Sequence, residues 1–210
     1  MVLMLCMSAC GKEQKAETKD ETQAITEAEV NTNKESGELI SETKEYTGEK
    51  YHYEIIENRN AEWQEIVSWQ VNVYEGDLFI QEIYYEHDED AGALADHENI
   101  IWEADVNFDG FKDLLICQGH YGAQGALGYR CYLANTIAAG FDYCEGFENI
   151  SNPQIDPVNK CIRSMIRSNA VSYYEEFYAY NGADFVLIKK DTYEWDDESN
   201  QYKLVHSTDS

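Results

Sequence analysis

The sequence predicts an all-β fold: an antiparallel meander forming a sandwich or a small barrel or propeller-like sheet, preceded by a disordered tether. Three observations carry this. From Tyr46 onward, short runs rich in Tyr, Ile, Val and Trp alternate with polar turns, and such residues suit a pleated, half-buried surface. No stretch repeats apolar residues at the 3.6-residue period of an amphipathic helix. Regular strand–turn alternation with only 2 prolines in the chain argues for consecutive antiparallel pairing.

Residues 1–10 end in M-S-A-C, a short apolar run closing on small residues before a cysteine. That is the shape of a secretion signal, too short for a membrane span. The segment resembles the lipobox of bacterial lipoproteins, in which cleavage leaves the cysteine, here Cys10, as a lipidated first residue. Residues 11–45 are dominated by Lys, Glu, Thr, Gln, Ser and Asn. Such a segment has too little to bury to offset its ordering entropy and reads as a disordered polar linker. Residues 46–210 have the length of a single β domain.

Within that domain the expected strands run 51–57, 66–74, 78–85, 99–104, 114–118, 129–134, 140–146, 160–167, 172–180, 184–195 and 201–206. The turns between them are marked by Glu75-Gly76-Asp77, Asn152-Pro153, Asn181-Gly182 and Asp196–Asn200. His87 to His97 is an acidic loop; Asp88, Asp90 and Asp96 echo a ligand spacing there, with a solvated charge cluster as the default. The Tyr-rich stripes read as sheet faces, since Tyr buries a ring while its hydroxyl stays wet.

The most informative stretch is Asp105 to Asp113, D-V-N-F-D-G-F-K-D. Asp105, Asn107, Asp109 and Asp113 fall at loop positions 1, 3, 5 and 9, with Gly110 at position 6 and the backbone carbonyl of Phe111 at position 7. Alternate oxygen-bearing side chains around a sharp glycine bend are what a hard dication takes, and the number of protein donors favours calcium over magnesium. The helix–loop–helix version of this loop needs Glu at position 12. Here Ile116 stands there, inside the apolar run Leu114–Cys117, which reads as a buried strand. The expectation is a calcium loop on a β scaffold.

Gly119 to Gly128 holds four glycines but lacks G-K-S/T, so it is no phosphate cradle. It reads as a long loop suited to recognition, which makes His120, Tyr121, Gln124 and Tyr129 candidate partner-binding residues. A merely flexible connection is the competing reading.

With signal cleavage removing Cys6, four cysteines remain for the domain, Cys117, Cys131, Cys144 and Cys161. None shows metal-ligand spacing. A hairpin between 140–146 and 160–166 would oppose Cys144 and Cys161, and Cys117 would lie near Cys131; free buried thiols are the alternative.

The net charge is −26; residues 11–45 hold 5 Lys/Arg against 10 Asp/Glu, so −21 falls on the domain. Nucleic acid is excluded as a partner, because phosphate needs basic contacts. Cationic partners are favoured and would be steered in. The histidines, His52, His87, His97, His120 and His206, have no partner at motif spacing, and no nucleophile elbow or zinc-helix motif is present. No enzyme is expected.

D-V-N-F-D-G-F-K-D-L-L-I resembles the calcium loop of FG-GAP and VCBS repeats. It occurs once, which does not support a multi-bladed propeller. A wider resemblance runs from about Val73 to Trp195. It takes in the calcium loop, the Gly-rich loop, F-E-N-I-S-N-P-Q-I-D (147–156), R-S-M-I-R-S-N-A-V-S-Y-Y (163–174) and F-V-L-I (185–188). These segments are similar to a family of bacterial envelope lipoproteins that carry one such loop in an antiparallel β domain. Some members of it are similar to periplasmic inhibitors of i-type lysozyme and act as immunity proteins against cell-wall hydrolases. The resemblance implies a lipid-anchored, calcium-stabilised extracytoplasmic domain that binds a protein partner, in its sharpest form a cationic cell-wall hydrolase. The membrane would be reached through the lipid anchor alone. No inhibitory loop can be matched; 119–128 is a candidate by position and composition. The alternative is a surface glycan- or solute-binding or adhesion module.

Overall fold

The computed structural model describes residues 38–92, 94 and 100–209. The signal-like segment with Cys10, linker residues 11–37, Asp96 and His97 lie outside the described residues.

The chain forms three antiparallel sheets, taken up one after another with no crossover between sequence-distant strands. Sheet one holds β1 (Leu39–Thr47), β2 (His52–Asn60), β3 (Ile66–Glu75) and β4 (Leu78–Glu86). Sheet two holds β5 (Ile101–Ala104), β6 (Asp113–Tyr121), β7 (Ala126–Ala134) and β8 (Phe141–Cys144). A 3-10 turn at Glu145–Asn149 leads into sheet three. That sheet holds β9 (Gln154–Asp156), β10 (Cys161–Arg167), β11 (Ser172–Tyr180), β12 (Phe185–Asp196) and β13 (Gln201–Asp209). Each sheet is open at both edges, so the all-β fold is a layered sandwich with no closed barrel.

Sheet two is the middle layer. Side chains alternate between the faces of a strand. Leu114, Ile116 and Tyr132 therefore join Tyr53, Ile55, Val71, Val73 and Ile83 of sheet one in one apolar cluster. Leu115 and Cys131 turn the other way, to Phe147, Ile150, Ile162, Tyr178 and Phe185. This is why the run from Leu114 to Cys117 carries no polar alternation: its residues are at most 1% exposed, as for a strand covered on both faces. Full burial of each such Leu or Ile contributes about 1.5–3 kcal/mol.

Three expectations need correction. Residues 39–45, assigned to the disordered linker, form most of β1, so the ordered chain begins earlier than residue 46. β1 is almost wholly exposed, and its order comes from pairing along its full length with β2. Lys44 adds an ion pair to Glu57, which is 2% exposed and also bound by Arg59.

The hairpin expected between 140–146 and 160–166 does not form. β8 pairs with β7, and β10 pairs with β9 and β11. Cys144 and Cys161 consequently sit in different sheets, while Cys117 lies opposite Tyr129 and Cys131 opposite Leu115. None of the four is in a disulfide, and all four are buried. The pair that the register brings face to face is Cys131 and Cys144.

The long Gly-rich loop is instead a tight hairpin. β6 continues to Tyr121 and β7 starts at Ala126, leaving only Gly122 to Gly125 as the turn.

Candidate functional site

The Asp105–Asp113 bend joins β5 to the central strand β6. Its conformation follows from its side chains accepting its own amide N–H groups. Asp109 N donates to Asp105 Oδ1 and to Asn107 Oδ1, each at 3.1 Å. Gly110 N donates to Asp105 Oδ2 at 3.0 Å, and Phe111 N to Asp109 Oδ1 at 2.8 Å. Asn107 Nδ2 donates to Asp109 Oδ2 at 3.0 Å. These bonds fold the side chains of Asp105, Asn107 and Asp109 back onto the turn's own backbone.

Two residues take positive φ to make this possible, Phe108 at 62° and Gly110 at 93°. A bulky aromatic rarely adopts that conformation. Phe108 is held there because its ring packs against the cluster between sheets two and three, and strained backbone of this kind gathers at functional bends.

Asp113, the last donor of the sequence pattern, has a different role. It is fully buried; Oδ2 accepts Val106 N and Oδ1 accepts Ala134 N, both at 2.9 Å. It clasps the bend to β7. Burial pushes its carboxyl up to about 6, against the lowering effect of those N–H donors.

Among the described residues no three His, Cys, Asp or Glu side chains converge as a complete metal group. The bend does supply Asp105, Asn107 and Asp109, a hard oxygen set of the type calcium takes, and among the described residues no ion pair ties Asp105 or Asp109 to a Lys or Arg. The donor set fits calcium. The thiols do not contribute: burial raises Cys131 and Cys161, and pushes Cys144 up to about 12, so these thiols are protonated and poor ligands.

Beside the bend lies a depression of about 460 Å³ shared with the loop Asn135–Gly140. Asn135 Oδ1 accepts the N–H groups of Ile137 and Ala138 at 3.0 and 2.8 Å, which fixes that loop. Ile137 is 97% exposed and Phe111 52% exposed at its border. Glu103 lines it as well, accepting from Tyr53 Oη at 2.6 Å and from Glu49 N at 2.8 Å. No apolar periodicity in the sequence singled out Ile137; its exposure depends on the cap by Asn135, which is an Asx-turn signal visible two residues before it.

The candidate partner-binding residues at the hairpin do not form one rim. His120 Nδ1 contacts Gly125 O at 3.0 Å. Tyr121 Oη lies 3.0 Å from both Asp88 Oδ2 and Gln118 Oε1, which compete for its one proton. Tyr129 packs edge-on against Trp102, 5.8 Å between centroids, on the sheet-three side of the middle layer. Gln124 borders a depression of about 440 Å³ at the end of sheet three.

No family profile matches the chain, and no curated protein matches it. Among solved structures it is similar to a Xanthomonas type IV secretion system related protein, with a TM-score of 0.54 at 16% identity. The superposition covers 80% of this chain and 93% of that one. At this identity the likeness establishes a shared fold.

Proposed function

We propose that this chain is a lipid-anchored, calcium-stabilised extracytoplasmic β domain that binds a protein partner in the cell envelope, with inhibition of a cationic cell-wall hydrolase as its sharpest form. The observation that carries this reading is the meeting of two pre-shaped loops around one depression, with Phe111 and Ile137 presented at its border. Apolar side chains held on fixed backbone are the usual anchors of a protein interface, because little ordering entropy remains to be lost on binding.

Calcium would be held by Asp105, Asn107, Asp109 and the carbonyl of Phe111, with Asp113 clasping the bend from behind. When bound, the ion supplies positive charge to a carboxylate-lined turn and fixes its shape. Phe111 would belong to the ion site through its carbonyl and to the interface through its ring, so calcium and partner would support each other's binding. The −26 charge favours a cationic partner, through an encounter rate that falls as salt rises. The membrane would be reached through lipid on Cys10.

The test is retention of a panel of cationic cell-wall hydrolases on the immobilised chain, with calcium, at low and moderate salt. We expect at least one to be retained, more strongly at low salt, with Ile137→Asp weakening retention about tenfold or more, the scale of a central interface anchor. Retention of none at either salt would remove the hydrolase reading.

A further inference from the structure

The depression at the end of sheet three, where the β6–β7 hairpin tip approaches it, belongs to neither the oxygen-donor bend nor the Ile137 rim. We propose that it is a binding site for a sugar bearing a carboxylate.

Its wall is aromatic and rigid. Tyr173 of β11 lines it. Tyr193, which does not, lies opposite it on β12 and stacks on it at 4.8 Å and 9°. Tyr202 packs edge-on against the same ring at 5.0 Å and 73°, and Trp195 in turn supports Tyr202 at 5.2 Å and 74°. Each contact is in a range that aromatic pairs prefer. A braced ring of this kind suits the C–H face of a pyranose, which needs a flat apolar partner, and Met165, 48% exposed, extends the apolar surface.

The polar groups around this wall are donors. Asn152 sits at φ 48°, held in place because its N–H donates to Leu127 O at 2.9 Å and its Oδ1 accepts Leu127 N at 2.8 Å. That leaves its amide N–H groups for a ligand hydroxyl. Gln124 adds a second amide from the hairpin turn. Arg167, directly opposite Tyr173 on β10, donates to Tyr202 Oη at 3.1 Å. Guanidinium has five N–H donors, so most remain available.

The charge pattern selects the ligand. In this acidic chain Lys44, Arg59, Arg130, Arg163, Lys190 and Lys203 are each matched by a carboxylate. Arg167 makes no such pair among the described residues, and no Asp or Glu lines the depression. An unpaired guanidinium beside an aromatic platform is built for a planar carboxylate, which it can engage through two parallel hydrogen bonds. Glu175, directly opposite Met165 on this face, is itself matched by Arg163, and repulsion from charges farther off is screened beyond about 8 Å at physiological salt. The site shares no side chain with the oxygen-donor bend or with the Phe111–Ile137 rim; of the hairpin residues named as partner-binding candidates it takes only Gln124.

Glucuronate, glucose and acetate, titrated separately onto the full chain and followed by ligand-observed NMR, test it. We expect saturable binding of glucuronate, glucose weaker by about fivefold or more, and no measurable acetate binding, because one charge-assisted contact is worth about a decade of affinity and the platform supplies the rest. Arg167→Gln should lower glucuronate to the level of glucose. Tyr173→Ala should remove both, and Gln124→Ala, at the exposed turn, should weaken both with the fold unaffected. Ile137→Asp should change none of these values. Glucuronate that does not saturate, that is unaffected by Arg167→Gln, or that acetate displaces as well as glucuronate itself does, would overturn the proposal.

Discussion

Two glycine-marked bends flank the central strand β6, and they are built on opposite principles. The bend before it, Asp105–Asp113, is shaped by side chains: its carboxylate and amide oxygens accept its own N–H groups, and a phenylalanine accepts positive φ to let them do so. The hairpin after it, Gly119–Gly128, is shaped by the absence of side chains. A Cβ on Gly119 would lie 2.2 Å from Gly92 O, where the chain bridges to the acidic loop, and one on Gly128 would lie 2.5 Å from the Tyr121 ring. Glycine richness there reports close backbone approach. Oxygen-bearing side chains with no basic partner among the described residues are the ground for the calcium proposal.

The largest effect that can break this contrast is at the clasp. Asp113→Ala removes both acceptors from the buried N–H groups of Val106 and Ala134, and each orphaned donor costs about 1–3 kcal/mol, so a loss of about 4 kcal/mol is expected in urea denaturation. A change under about 1 kcal/mol would mean that the bend is not fastened to β7 in solution.

Within the hairpin, two substitutions that look alike should differ. Gly119→Ala combines φ 134° with the approach to Gly92 and should cost about 3 kcal/mol. Gly122→Ala takes on φ 65° with nothing within 4 Å of the new Cβ and should cost about 1 kcal/mol. Equal costs would show that turn strain, and not the contact with the acidic loop, explains Gly119.

The same contrast explains what could be read from sequence. The Asp105–Asp113 bend and the strand it feeds were legible because its oxygen-bearing residues, its glycine and that strand all lie within a dozen residues. Asp113's role as a clasp was not, because Ala134 reaches it only once β6 and β7 are in register. β3, which buries one face, announced itself by alternation over its second half, and the unbroken run at Leu114–Cys117 by having two covered faces.

β1 was hidden because exposure makes its sequence look like linker; backbone pairing, which leaves no mark on composition, orders it. The hairpin was misread because Gly119 answers to Gly92, elsewhere in the fold, and Gly128 to the Tyr121 ring, which only the β6–β7 register brings beside it. The cysteine pairs failed for a related reason: which thiol faces which is set by strand register, and the register opposes Cys131 to Cys144. The aromatic depression escaped notice because its walls come from the hairpin tip and from sheet three, far apart in the chain.

The central claim is that oxygens of Asp105, Asn107 and Asp109 gather around a bound calcium ion. Thermal melts of the full chain in calcium and in chelator test it most directly. An ion present at about 100 times its dissociation constant stabilises by about 2.7 kcal/mol, which for a domain of this size raises the melting temperature by roughly 5–10 °C. The account predicts a shift of that order in the native protein, restored when calcium is returned, and lost in Asp109→Ala. Superimposable melts with and without chelator in the native protein would contradict it.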